Sequence, residues 1–372
     1  MRLAWFNIAH DRMRFAVTVL GIMCAVFLMV FQGSILLGFM RAASKIIDST
    51  DADIWITGRG VPCFEFPVPI ERRLVEITRG IPGVADASRI STGQIQIRKA
   101  DGARQQVVLV GADSQVGPRF PMPRLLGDAG PVAPESLIID ESNARLLEVG
   151  HLPLEVEAND RHARVIGETS GFSSFIGSPY VFTSYDDAAK YIGLGADETM
   201  FLLLRLKPGV NTGDVKGSLR SRFPNVDVWT RAEFSRKARW YWISQTGAGG
   251  AILMAALLGF FIGLAIVSQA VYATTMENIE EFATLKAIGG SQQYITGIIV
   301  AQSVICGIAG YVLGTLMTAP MVKVASSSIP WVFTPWWLPL AALVPTVGMC
   351  VLASLLSVKA ALHVEPARVF RA

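Results

Sequence analysis

The chain has 372 residues, of which 51% are hydrophobic and only 17% charged, with a mean hydropathy of +0.43 and a formal net charge of +3. That balance excludes an ordinary soluble protein, and it offers no polybasic surface for a nucleic acid.

The charges are unevenly placed. Four long runs contain no Asp, Glu, Lys or Arg: Phe15 to Met40, Trp240 to Met276, Ala287 to Val322 and Val324 to Val358. Each exceeds the roughly 20 residues that cross a hydrocarbon core about 30 Å thick, so four spanning helices are predicted. The first run has the basic lead (Arg2, Arg12, Arg14) and small following residues (Ala42, Ala43, Ser44) of a signal peptide, but it is far longer than a cleavable apolar segment of about 7–15 residues.

Lys and Arg set the orientation. Three Arg precede the first run against one Asp, and Lys359, Arg368 and Arg371 follow the last against Glu365, which predicts a multi-pass membrane protein with both termini cytoplasmic. The expected layout is a cytoplasmic segment 1–14, a first span 15–40, an outer domain 41–239 and a second span 245–275. A cytoplasmic loop 276–290, a third span 293–322, a short external turn Lys323–Pro330, a fourth span 331–358 and a cytoplasmic tail 359–372 complete it. The loop, with three Glu and one Lys, departs from the basic pattern, but acidic residues weigh little in that rule.

The outer segment carries 25 Lys plus Arg and 25 Asp plus Glu, and is long enough for a core of its own. Ala52–Thr57 reads as a strand, and Ile70–Arg79 as a helix stopped by Gly80-Ile81-Pro82-Gly83. Strands at Gln94–Arg98 and Gln106–Val110 flank a hairpin-like Asp101-Gly102. Pro118–Pro134, with five Pro, reads as an irregular excursion. Ser136–Asp140 then reads as a strand, Glu141–Leu147 as a helix, and 154–157 and 163–166 as paired strands. Phe201–Leu206, Asn211–Arg222 and Val226–Trp229 give strand, helix, strand. The fold class is an α-helical membrane protein with four transmembrane helices plus a mixed α+β extracytoplasmic (periplasmic) domain of two subdomains.

Cys24, Cys306 and Cys350 fall in spans. Cys63 alone faces outside, where it has no intrachain partner; packing must hold the domain, and an intermolecular or reactive role is the alternative for that thiol. His10, His151, His162 and His363 lack metal-ligand spacing and read as surface residues. With no nucleophile elbow and no phosphate loop, no catalytic residue, cofactor or metal site is expected in this chain.

The spans contain no Asp, Glu, Lys or His of the kind that relays protons or sodium, which argues against an ion-coupled transporter. Mild polar residues such as Thr18, Gln32, Ser268, Gln269 and Gln302 are expected to hydrogen-bond between helices. Gly259-x-x-x-Gly263 and Gly310-x-x-x-Gly314 are candidate close-packing faces.

The loop Glu277 to Gly290 is the most informative stretch. As a helix it brings Ile279, Phe282, Leu285 and Ile288 near one face, places Glu at the positive end and stops at Gly289-Gly290. About ten residues of helix are marginal alone in water, so it needs a surface to pack on: a partner, the bilayer or its own spans.

Glu280-Glu281-Phe282-Ala283-Thr284-Leu285-Lys286-Ala287-Ile288-Gly289 resembles the E-hydrophobic-G-x-L-K-A-hydrophobic-G loop of FtsX-like, MacB-type ABC permeases, with wording nearest the DevC-like branch; Ala283 stands where those permeases usually have Gly. Leu3-Ala4-Trp5-Phe6-Asn7-Ile8-Ala9 with Leu20-Gly21-Ile22 is similar to their amphipathic leading helix (here within 1–14) and first span. Val364-Glu365-Pro366-Ala367-Arg368-Val369-Phe370-Arg371 is similar to their C-terminal ending.

The resemblance implies a homodimer bound to two copies of an ABC ATP-binding subunit, which holds ATP and Mg. Ile279, Glu281, Phe282, Leu285, Lys286, Ile288 and Gly289 would form the ATPase-coupling element, with Phe282, Leu285 and Ile288 as buried anchors and Glu281 and Lys286 as rim charges. It further implies mechanotransmission of the type VII kind, export of a lipid-like or other amphiphilic substrate, a periplasmic membrane-fusion adaptor and an outer-membrane TolC-like channel. Two alternatives are a mechanotransmitter that switches an extracytoplasmic hydrolase without moving cargo, and a receptor with no ATPase partner.

Overall fold

The computed structural model describes residues 12–99, 102–113, 133–144, 146–147, 152–277, 284 and 291–362. It comprises two compact units, Phe39–Ala248 and the pair of segments Met1–Gly38 and Gly249–Ala372. A single helix, α1 (Arg12–Asp48), contributes to both.

The α/β unit begins with the end of α1. The first uncharged run stops at Met40, but the helix continues for two more turns, because Ala42, Ala43, Ile46 and Ile47 are buried while Arg41 and Asp48 remain exposed. The strands and helices that follow are β1 (Ile54–Gly58), β2 (Ile70–Glu71), α2 (Leu74–Arg79), β3 (Val84–Arg98), β4 (Arg104–Ala112), β5 (Ser136–Asp140), β6 (Leu154–Ala158), β7 (Arg161–Thr169), β8 (Tyr180–Ser184), α3 (Tyr185–Ile192), β9 (Glu198–Thr199), β10 (Phe201–Leu206), α4 (Thr212–Arg222), β11 (Val226–Thr230) and α5 (Arg231–Ser244).

Among the described residues nine strands form one sheet in the order β11-β1-β10-β3-β4-β8-β5-β7-β6, and β2 pairs separately with β9. The 15-residue β3 organises it. Its first half pairs with β10, with Ile90 opposite Phe201, and its end pairs with β6, with Ile97 opposite Ala158. Strands β3, β4, β8, β5, β7 and β6 therefore close on themselves, while β11, β1 and β10 extend from the open side of β3. These are the two subdomains. Most neighbours are antiparallel; β4 with β8 and β5 with β7 are parallel.

Side-chain alternation assigns the cores. On β1 and β10, Ile54, Ile56, Leu202 and Leu204 meet Leu74 and Val75 of α2 and Val215 and Leu219 of α4. The opposite residues, Trp55, Phe201 and Leu203, join Phe182 and Val110 under the end of α1 (Ile46, Ile47) and α5 (Phe234, Ala238). In the closed subdomain Ile95, Leu109, Ile139 and Val181 pack with Ala188 and Tyr191 of α3. Helix ends are capped: Ser184 accepts from the Asp187 amide at 3.1 Å to start α3, and Thr230 and Glu233 form a reciprocal capping box for α5.

The other unit holds the first part of α1 with α6 (Ala248–Glu277), α7 (Gln292–Ser328) and α8 (Trp337–Leu362). Among the described residues, four segments are long and apolar enough to cross a membrane: Phe15–Asp48, Ala248–Glu277, Thr296–Ser328 and Trp337–Leu355.

Several local expectations need correction. Ile70–Arg79 divides into β2 and the shorter α2, because Ile70 and Glu71 pair with Thr199 and Glu198. Glu141–Leu147 is not an α-helix throughout: Glu141–Asn143 is a 3-10 turn capped by Asp140, whose carboxylate accepts from the Ser142 amide at 3.1 Å. Lys323–Pro330 is not simply a turn, since α7 passes Pro320 and Lys323 to Ser328, with the Ser326 and Ser327 hydroxyls donating to the Lys323 and Val324 carbonyls. One lysine near a helix end does not stop the helix, because its long stem lets the charge reach water. The run from Trp240 is likewise broken: α5 ends at Ser244, and Gly247, at φ +74°, separates it from α6.

Candidate functional site

Helix α1 is the hub of the helical unit. Val19, Ile22, Ala25, Val26 and Val30 are buried in one cluster with Val267 and Val271 of α6, Ile299 and Cys306 of α7, and Met349, Cys350 and Ala353 of α8. The glycines singled out in the sequence lie on its contacts. A Cβ on Gly259 would stand 3.1 Å from Leu28 Cβ, and one on Gly263 would collide with Ala25 Cβ and lie 2.9 Å from Met349 Sδ. A Cβ on Gly310 would lie 3.0 Å from the Val19 carbonyl oxygen, and one on Gly314 only 2.7 Å from that of Met23. At Gly314 the obstacle is backbone, so no side-chain rotation relieves it.

Hydroxyls within the spans mostly turn back on their own helices. Thr275, Ser303, Thr318, Thr346 and Ser354 donate to carbonyls four residues earlier at 2.7–3.0 Å. The pair Ser34–Thr334, at 2.8 Å, and the Tyr311 hydroxyl on the Pro339 carbonyl, at 2.8 Å, cross between segments. The coupling residues Ile279, Glu281, Phe282, Leu285, Lys286, Ile288 and Gly289 lie outside the described residues.

Within the α/β unit, the two helical segments that connect it to the spans are tied together. Arg239 of α5 donates to Asp48 at 3.0 Å and to Ser44 at 2.8 Å, both on α1, and also to Ser235. Nearby, the Tyr180 hydroxyl donates to Glu65 Oε1 at 2.8 Å and Trp242 Nε1 donates to Glu65 Oε2 at 3.2 Å. Phe175 meets the Trp242 ring edge-on at 4.9 Å and Phe66 stacks on it at 6.0 Å. Glu65, Cys63 and Tyr180 are all buried. Burial raises the Glu65 carboxyl above the ordinary carboxylate range, although the Tyr180 and Trp242 donors pull the other way. Burial, with Glu65 beside it, also pushes the Cys63 thiol up, which argues against the reactive alternative for that cysteine.

A family model described as the MacB-like periplasmic core domain matches residues 15–222, and one described as the FtsX-like permease C-terminal domain matches residues 251–366. The chain belongs to the MacB-like, FtsX-type family of ABC transporter permeases. Similar proteins include an uncharacterized ABC transporter permease of Mycobacterium tuberculosis strain H37Rv, 22% identical over 343 residues, covering 90% of this chain and 88% of the relative. Another, from Mycobacterium bovis, is 22% identical over 336 residues with the same coverage. Among solved structures, the periplasmic region of MacB from Actinobacillus actinomycetemcomitans shares 14% identity at a TM-score of 0.39, covering 50% of this chain and 92% of that one. The extracellular domain of the noncanonic ABC-type transporter YknZ from Gram-positive bacteria shares 13% identity at 0.35, covering 48% and 98%.

As an ABC permease, the chain is a multi-pass membrane protein whose family implies an ATP-binding subunit as partner. Sequence reasoning missed both the Arg239–Asp48 tie and the Glu65 cluster. A signal was present for the second: Glu65 is the single charged residue in the apolar stretch Val61–Ile70, between two phenylalanines.

Proposed function

We propose that this permease is the membrane subunit of an ATP-driven exporter that moves a lipid-like or other amphiphilic substrate outward. It works as a homodimer with two ATP-binding subunits, a periplasmic membrane-fusion adaptor and an outer-membrane channel. The observation that carries the reading is the order of the two family matches: one apolar helix and an α/β unit under the first, three apolar helices under the second.

In this mechanism the loop 276–290 seats in the ATP-binding subunit through Phe282, Leu285 and Ile288, while Glu281 and Lys286 set its orientation. Closure of the ATPase on ATP displaces the loop, and the rigid helices α6 and α1 carry that displacement towards the α/β unit. The absence of charged residues from the four uncharged runs supports a drive by ATP over an ion gradient. Termini in the cytoplasm, as the flanking Arg and Lys indicate, place the loop on the side where ATP is available.

The test is affinity purification of the full chain from membranes in mild detergent, with the co-purifying subunits identified by mass spectrometry. An ATP-binding subunit together with an adaptor is the expected result. An ATPase accompanied by a cell-wall hydrolase in place of the adaptor would replace export by signalling, and no ATPase, under conditions that preserve a known ABC complex, would overturn the reading.

A further inference from the structure

A carboxyl group buried among aromatic rings needs a reason to be there, since an ionised carboxylate is costly to remove from water unless it is paired. Among the described residues no ion pair reaches Glu65; the Tyr180 hydroxyl on β8 and Trp242 Nε1 on α5 donate to its two oxygens, with the Cys63 thiol and its own backbone amide as further donors. Trp242 lies in the last turn of α5, six residues before α6 begins. Glu65 sits on the segment between β1 and β2, and Tyr180 belongs to the sheet, so the carboxyl joins the end of α5 to two other parts of the unit.

We propose that Glu65, Tyr180 and Trp242 form a proton-controlled latch, which holds the last turn of α5 against the sheet while Glu65 is protonated and frees it when the proton is lost. The neutral carboxyl can stay in its buried pocket between Tyr180 and Trp242, keeping the Trp242 donor on Oε2 and sharing a proton with Tyr180 across the 2.8 Å contact. Loss of that proton to water leaves a full charge in the pocket, and outward movement of Trp242 lets water reach it.

The sign follows from linkage. With its acidity held back in the closed form, Glu65 stabilises the latch fully below the ordinary carboxylate range, and that stabilisation is lost as pH rises through the raised value. The titratable groups facing the carboxyl are Cys63 on its own segment and Tyr180 on β8, both of which burial keeps neutral to higher pH than usual. From α5, Lys237 acts on Cys63 and stacks on Trp229, and Arg239 is engaged with Asp48. From α1, Lys45 lies over Phe172. The latch is a property of the α/β unit and holds whatever the permease moves.

The test uses the full chain in detergent, labelled with 5-fluorotryptophan, with the Trp242 resonance assigned by its loss in Trp242→Phe. Over a titration from acid to alkaline pH the resonance is expected to follow a one-proton curve with its midpoint above the ordinary Glu range. In Glu65→Gln the curve should vanish while the low-pH position is kept. Tyr180→Phe, which removes a donor to the anion, should move the midpoint up, whereas a merely structural tyrosine would leave it in place. A Trp242 resonance that is flat over this range in the wild type, or that titrates equally in Glu65→Gln, would overturn the proposal.

Discussion

Arg239 Nη2 lies 3.0 Å from Asp48 Oδ2, so the last turn of α1 and the middle of α5 are joined by one guanidinium that also bonds Ser44 and Ser235. Both side chains are about two-fifths exposed, which places the pair in the weak class of ion pairs. Arg239→Ala should therefore destabilise the α/β unit by only about 1 kcal/mol. A double-mutant cycle with Asp48→Asn, read by thermal unfolding of the full chain, should give a coupling of about 0.2–1 kcal/mol, with a smaller value at high salt.

The helical unit supplies a graded series. Gly314→Ala and Gly263→Ala force a methyl group against the Met23 carbonyl and against Ala25, and each should cost about 1–3 kcal/mol through overpacking. Gly259→Ala, facing a side-chain carbon at 3.1 Å, should cost less. Gly297→Ala meets nothing within 4 Å and gains helix propensity, so it should be neutral or stabilising. Detergent-solubilised thermal stability measures the series. Equal losses at all four positions would show that the close contacts at Gly314, Gly263 and Gly259 do not set the cost.

Glu233 gives a pH signature opposite to that of Glu65. Burial tends to raise its carboxyl, but the Lys216 ammonium and the Thr230 amide and hydroxyl outweigh that and hold it below the ordinary range. Its contribution is thus present above the ordinary carboxylate range and lost as pH falls through the lowered value. Glu233→Gln keeps the capping acceptor but loses the charge that pairs with Lys216, and should cost about 1 kcal/mol near neutrality. The difference from wild type should shrink in acid, as denaturant unfolding at several pH values would report.

The Cys63 thiol should resist modification. In a chain with Cys24, Cys306 and Cys350 replaced by Ala, maleimide labelling of Cys63 near neutral pH should be far slower in the folded protein than after denaturation, because the sulfur is buried and its acidity suppressed. Labelling at the denatured rate would place that sulfur at the surface.

Charge-free runs made the spans legible, because a bilayer imposes a length and a composition that few other environments share. The individual strands around Ile54, Ile138 and Phe201 were legible for a similar reason: short β-rich stretches bounded by turn residues. What the sequence concealed was long-range. That β3 pairs with β10 through its first half and with β6 at its end depends on partners about 110 and 60 residues away in the chain. Nothing local marks that closure. Ile70 looked helical because its neighbours are, until pairing with Thr199 drew it into a strand. Glu65 stands alone as a charge in an apolar stretch, but its partners Tyr180 and Trp242 lie more than 100 residues downstream, beyond the reach of any local pattern.

The proposed coupling through residues 276–290 is tested most directly by co-purifying the ATP-binding subunit with the full chain carrying Phe282→Asp or Leu285→Asp. A charge in place of a buried apolar anchor should cost about 3 kcal/mol or more, over a hundredfold in affinity. The expected result is therefore normal membrane insertion with the ATPase lost. Retention of the ATPase at wild-type levels by both variants would contradict the assignment of this loop as the point where ATP hydrolysis enters the permease.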